Sequence, residues 1–310
     1  MEEQTRSLYP YPVIKTENCD YRIIGTIDYN SFVSVHHALS LNTNGKFVIK
    51  FVSSKYPFYK SAQEGCKIAQ SISHLNIVTI IDSFIVPNDL NPSPEHLFVV
   101  IMEDYQDIDL FFYLQDNGPF AEIEAACIMK QLAGSLFHIS GNGIVHRQLI
   151  PENILIRKKP DSPFSVAVTG FTAAGRIDSQ YPSLQSCNSV SDDPYAAPEL
   201  LRDRQSTVQT DVYSLGIVFY QLLTGITPRA YSQLYGEGPF GGPIFSNVSQ
   251  VMRELLQGMI HGDPNQRLSP QEIFEHKALS ISAKAYERPY FSLISDLLPD
   301  DSDDPYGPMF

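Results

Sequence analysis

The organisation of this chain follows from one segment, His146-Arg147-Gln148-Leu149-Ile150-Pro151-Glu152-Asn153. Its third position is Gln148, whose neutral amide donates and accepts hydrogen bonds but is no useful base at neutral pH. On the N-terminal side, Ala121 to Ser140 repeats apolar residues with a period of 3.6 through Ala125, Ile128, Met129, Leu132 and Leu136, which predicts a long amphipathic helix. On the C-terminal side, Val166 to Thr169 reads as a strand running into Gly170-Phe171-Thr172. Two more helices are expected, from about Asp211 to Leu223 and from Val248 to Met259.

Further upstream the pattern changes. Tyr21-Arg22-Ile23-Ile24, Phe32-Val33-Ser34-Val35 and Lys46 to Val52 are short β-rich runs broken by Asn/Gly turns such as Asn42-Thr43-Asn44-Gly45, an antiparallel meander. Ser61 to Ser73 has helical spacing, and Ile77 to Phe84 and Leu97 to Met102 are further strands, separated by a loop at Pro87 to Pro94. The expected fold class is therefore α+β and bilobal, a small antiparallel β-rich lobe with one helix followed by a larger, mainly helical lobe. Residues 1–20 read as an extension, 21–102 as the first lobe, 103–105 as a hinge and 106–280 as the second lobe. The acidic tail 281–310, with Asp296, Asp300, Asp301, Asp303 and Asp304, reads as disordered.

At 310 residues the chain is long enough to bury a sizeable core, and 43% hydrophobic against 18% charged residues is ordinary for a globular protein. Twenty-two basic against 35 acidic residues give a formal charge of −13, which repels phosphate backbones and anionic headgroups. Nucleic acid and membrane are not expected as partners. The four cysteines, Cys19, Cys66, Cys127 and Cys187, form no C-x-x-C pair, so neither a zinc site nor a disulfide framework is indicated. The tyrosine-rich start lacks a secretory pattern, and no apolar run approaches the ~20 residues of a membrane span. These features place the protein in the cytosol, the nucleus remaining open.

The opening segment resembles the protein-kinase catalytic loop H-R-D-L-K-P-E-N. Phe47-Val48-Ile49-Lys50 is similar to that family's V-A-I-K strand, Ala197-Pro198-Glu199 to A-P-E, and Asp211-Val212-Tyr213-Ser214-Leu215-Gly216 to D-x-W-S-L-G. Arg267 stands where the family has its late arginine. The landmarks follow kinase order at kinase spacing from Tyr21 to about Leu279, and the chain is identified as a degenerate Ser/Thr-type member of the eukaryotic protein kinase superfamily, resembling a pseudokinase.

The resemblance implies a nucleotide cleft bordered by Val35, Val48, Lys50, Met102 as gatekeeper, Glu103 to Tyr105 as hinge, and Leu155, with Asp109 meeting a ribose and Asn153 near the phosphates. It gives structural roles to His146 and Phe171 as packed spine residues, to Arg147 and Asp211, and to a buried Glu199–Arg267 pair. It also implies what is missing. Phosphoryl transfer needs a group that orients the attacking hydroxyl and Mg²⁺ that neutralises the phosphates. Gln148 stands for the catalytic aspartate, Gly170 for the metal-binding aspartate and Ile150 for the loop lysine. Mg²⁺ demands hard oxygen ligands, and Asn153 alone offers one neutral oxygen. Asp28, Asn30 and Val33 fall where the phosphate loop has glycines, and an acidic Asp28 repels a triphosphate.

The counterpart of the helix glutamate that pairs with Lys50 falls between Glu64 and Gly65, one residue and about 100° apart. Asn153 bracing the loop and Asn153 touching metal rank equally. Tyr181, Ser183, Ser186, Ser189 and Ser191 look like phosphosites in an activation segment, and Asp192 replaces a substrate-loop threonine. The expectation is a signalling scaffold or allosteric partner that binds proteins, an active kinase among them; ATP is left open as a cofactor and Mg²⁺ is not expected. A weak Ser/Thr kinase and a nucleotide-sensing module without catalysis are the alternatives.

Overall fold

A computed structural model describes residues 13–87, 95–105, 108–159, 162–177, 193–203, 206–235, 238–246 and 248–280. The proposed phosphosites, Asp192, Cys187, most of the Pro87 to Pro94 loop and the acidic tail lie outside these residues.

The first lobe is a six-stranded antiparallel sheet made of β1 (Val13–Lys15), β2 (Asp20–Tyr29), β3 (Val33–Ser40), β4 (Lys46–Ser53), β5 (Ile80–Pro87) and β6 (His96–Glu103). Its spatial order is β1-β2-β3-β4-β6-β5. Strand β3 alternates strictly between buried and half-buried residues, the period-two signature of a strand with one covered face. Asn44 closes the β3–β4 hairpin at φ 57°, a left-handed conformation that Asn tolerates. Helix α1 (Tyr59–Gln70) packs Ala62, Cys66 and Ala69 inward and begins and ends earlier than its apolar spacing predicts. Strand β1 lies within residues 1–20 and adds to the sheet. Ile14 is buried and Val13–Lys15 pairs with Asp20–Arg22, so the sheet begins before residue 20.

The second lobe holds α2 (Leu110–Asn117), α3 (Glu122–Gly141), α4 (Pro198–Asp203), α5 (Val208–Thr224), α6 (Pro228–Tyr235), α7 (Gln250–Met259) and α8 (Pro270–Glu275). Ile128, Met129, Leu132 and Leu136 of α3 form one fully buried core with Val218 and Phe219 of α5 and Leu255, Leu256 and Met259 of α7. Each such side chain contributes about 1.5–3 kcal/mol by leaving water, which is why the apolar period of α3 was readable. Among the described residues five short strands finish the lobe: β7 (Ile108–Asp109), β8 (Ile144–Val145), β9 (Ile154–Lys159), β10 (Ser162–Val168) and β11 (Gly175–Arg176). β9 pairs with both β7 and β10, and β8 with β11. The segment His146–Asn153 is the connection from β8 to β9 and ends in a single 3₁₀ turn, Pro151–Asn153. The architecture is α+β and bilobal. Among the described residues no helix is long and apolar enough to cross a membrane.

Candidate functional site

Between the lobes lies a cleft of about 370 Å³. Its roof is set by strand register: Asp28 of β2 pairs with Val35 of β3, which pairs with Lys50 of β4, so the three side chains share one face and one rung. The neighbouring rung carries His37, Val48 and Met102. Leu155 of β9, Asn153, Gly170, Phe171 and the connecting stretch Glu103–Tyr105 complete the lining. Val35, Val48, Lys50, Met102, Glu103, Tyr105, Asn153 and Leu155 are thus brought together.

Asp109 is not. Its carboxylate caps α2, accepting a hydrogen bond of 2.9 Å from the Phe112 backbone N–H, and it is not among the residues lining the cleft. Two residues that sequence reasoning passed over, His37 and Cys66, line the cleft as well. His37 follows Val35 by two and so shares its face, and its Nδ1 lies 3.4 Å from Oδ2 of Asp104. Cys66 follows Ala62 by one helical turn and points at Lys50 from α1.

Gln148 is exposed and lies outside the lining. Its carbonyl accepts from Asn153 Nδ2 at 2.9 Å, so the Asn153 amide braces the loop. Ile150 packs against the large core instead of presenting a charge to the cleft. His146 is fully buried, and its Nε2–H donates to the Thr169 carbonyl at 2.9 Å, which makes Nδ1 the acceptor for the Gln148 N–H at 3.3 Å. Burial lowers its pKa to about 4, against the pull of the Thr169 carbonyl. Its ring meets that of Phe171 edge-on at 4.5 Å. Arg147, at φ 70°, and His146 donate their backbone N–H groups to Asp211 at 2.8 and 2.6 Å. Burial raises the Asp211 carboxyl to about 7 despite those bonds and the Arg147 charge.

Gly170 sits at φ +80°, a region L side chains rarely adopt. A Cβ there would lie 2.1 Å from Asn153 Oδ1. The space a side chain at 170 would need is already filled by Asn153. Among the described residues no group of three or more His, Cys, Asp or Glu is placed to hold a metal ion. Gly170 brings no oxygen ligand to the turn and Asn153 one neutral oxygen, where Mg²⁺ in nucleotide sites is held by one or two carboxylates beside the phosphates.

Helix α1 approaches the same turn from above. A Cβ at Gly65 would lie 1.9 Å from the Phe171 carbonyl oxygen, so backbone packs on backbone. Glu64 points outward and bonds Lys67 at 2.9 Å, so the Lys50–Glu64 pair left open by the sequence is not formed. Lys50 has no carboxylate within 4.0 Å among the described residues. Burial lowers its pKa, and the charges of Cys66 and then Asp28 oppose that shift. Beyond the cleft, Arg267 clasps Glu199 through two bonds of 2.7 and 2.8 Å, donates to the carbonyls of Gln209 and His261, and lies over the Tyr213 ring. This buried fork ties α4 to the turn before α8.

The family described as protein kinase domain matches residues 21–279. The chain is 29% identical to calcium/calmodulin-dependent protein kinase type I of Schizosaccharomyces pombe over 84% of its own length and 79% of that protein's. It is 29% identical to serine/threonine-protein kinase cds1 of the same yeast, over 85% and 59%. It is 26% identical to serine/threonine-protein kinase DCLK3 of Mus musculus, over 83% and 32%. The chain thus spans between a third and four fifths of these relatives. The order of motifs, the two lobes and the cleft between them agree with these matches, and the chain belongs to the protein kinase superfamily.

Proposed function

We propose that this chain is a pseudokinase: a kinase-fold protein impaired in phosphoryl transfer that works as a signalling scaffold or as the allosteric partner of another protein, an active kinase included, in the cytosol. The observation that carries the reading is Gly170 against Asn153. The metal-binding carboxylate is replaced, and its place is taken up by another side chain. Exposed Gln148 and core-packed Ile150 supply neither a base nor a charge for the transferred group. Loss of general-base help alone typically costs 10²–10⁴ in rate, and metal stabilisation is worth several kcal/mol more.

The test is transfer of the ATP γ-phosphate to the chain itself and to generic Ser/Thr substrates in Mg²⁺, beside a Lys50→Ala control. Rates equal to the control are expected. Transfer well above the control would establish an active kinase and overturn the reading.

A further inference from the structure

We propose that Asp28 is a built-in counter-ion for Lys50, and that the cleft accordingly takes an uncharged, nucleoside-like heteroaromatic and turns away ligands that carry phosphates. The inference deepens the proposed function and rests on its reading of the cleft.

Strand register is the first support. Asp28, Val35 and Lys50 occupy one rung of β2, β3 and β4, and all three line the cleft. Opposed Cβ atoms in such a rung are about 5 Å apart per strand. The two side chains therefore lie on one face with Val35 between them, and Asp28, whose Oδ1 also accepts from the Tyr29 N–H at 2.8 Å, stands within the range where unit charges near a protein surface still interact by more than a kcal/mol. Helix α1 offers Lys50 no carboxylate, because Gly65 packs on Phe171 and Glu64 bonds Lys67. The negative charge that Lys50 meets comes from the roof strand, on the side from which a phosphate would otherwise balance it.

The rest of the lining agrees. Asp28, Glu103, Asp104 and Glu152 border the cleft against one lysine, Lys50. A polyanion entering this field is repelled, and no metal-ligand cluster offsets the repulsion among the described residues. The apolar part is a slot: Val35 and Val48 above, Leu155 below, the backbone of Glu103–Tyr105 at its end. Such a slot suits a flat heteroaromatic ring edged by hydrogen-bonding groups.

The test is calorimetric titration of the full chain with adenosine and with ATP, both in EDTA, for the natural protein, Asp28→Asn, Asp28→Gly and the double variant Asp28→Asn/Lys50→Met. Asp28 is exposed on β2, and thermal unfolding midpoints verify that the variants are folded. The natural protein should bind adenosine more tightly than ATP. Asp28→Asn and Asp28→Gly should shift the adenosine-to-ATP affinity ratio toward ATP by on the order of ten-fold, and adding Lys50→Met should abolish that shift. A natural protein that prefers ATP, fails to bind adenosine, or keeps its ratio in both Asp28 variants overturns the proposal. Phosphoryl transfer in Mg²⁺ is measured separately. Turnover there would count against the proposed function and leave the affinity ratio to judge Asp28.

Discussion

Asn153 fills the volume that a side chain at position 170 would enter, its Oδ1 lying 2.1 Å from where the Cβ would stand. A side chain at position 170 therefore requires the end of the Asn153 side chain to turn away.

Restoring the acid at this position should fail by itself. Gly170→Asp puts a side chain on a left-handed backbone and forces the end of Asn153 to turn away, together a strain on the order of 1–3 kcal/mol. The expected result is a lower unfolding midpoint with no gain in phosphoryl transfer, measured by thermal denaturation and ATP turnover on one preparation. A Gly170→Asp protein as stable as the natural one would contradict the packing account.

Gly65→Ala reverses a familiar sign. In a helix interior Ala is normally favoured over Gly by roughly 0.5–1 kcal/mol, but here the added methyl would lie 1.9 Å from the Phe171 carbonyl oxygen. Destabilisation of about 1–3 kcal/mol is expected from overpacking. Denaturant unfolding measures it, and stabilisation would mean that α1 is free to move off the turn.

Breaking the Glu199–Arg267 fork leaves an uncompensated buried charge. Glu199→Ala should cost about 3–5 kcal/mol, and Arg267→Lys should also destabilise, because an ammonium makes neither the pair of parallel hydrogen bonds to Glu199 nor the flat contact with the Tyr213 ring. Equilibrium unfolding of the two variants checks both claims.

The pH dependence follows from two adjoining groups of opposite slope. His146 has its pKa lowered from 6.5 to about 4, so the unfolded chain takes the proton first and stability is lost as pH falls from 6.5 toward 4, by on the order of 3 kcal/mol. Asp211 has its pKa raised from 3.8 to about 7, so its contribution is fully present below 3.8 and lost as pH rises through 7. The two offset each other across pH 4–7. Asp211→Asn removes one slope, and its unfolding free energy should fall more steeply with acid than that of the natural protein. Parallel profiles would contradict the assignment.

Much of this was legible in the residues. The 3.6-residue period of α3 and the alternation along the strands survive because each element buries one continuous face. Lys50, Met102 and Leu155 were placed by motif order. What stayed hidden depends on contacts between distant segments. Whether Glu64 or Gly65 faces the cleft turns on one residue of register, which spacing cannot fix when neither neighbour is apolar. Asp109 bears a carboxylate in the expected place, but the free N–H groups at the start of α2 claim it. Strand β1 is too short for periodicity to reveal and is defined by its pairing with β2.

The most direct measurement is the affinity of ATP for the full chain with saturating Mg²⁺ and again with EDTA. The account predicts no more than a few-fold tightening, the part that follows from Mg²⁺ reducing the charge of ATP itself in an acidic cleft, because Gly170 brings no carboxylate to hold the ion. Tightening by an order of magnitude in Mg²⁺, about 1.4 kcal/mol, would contradict it.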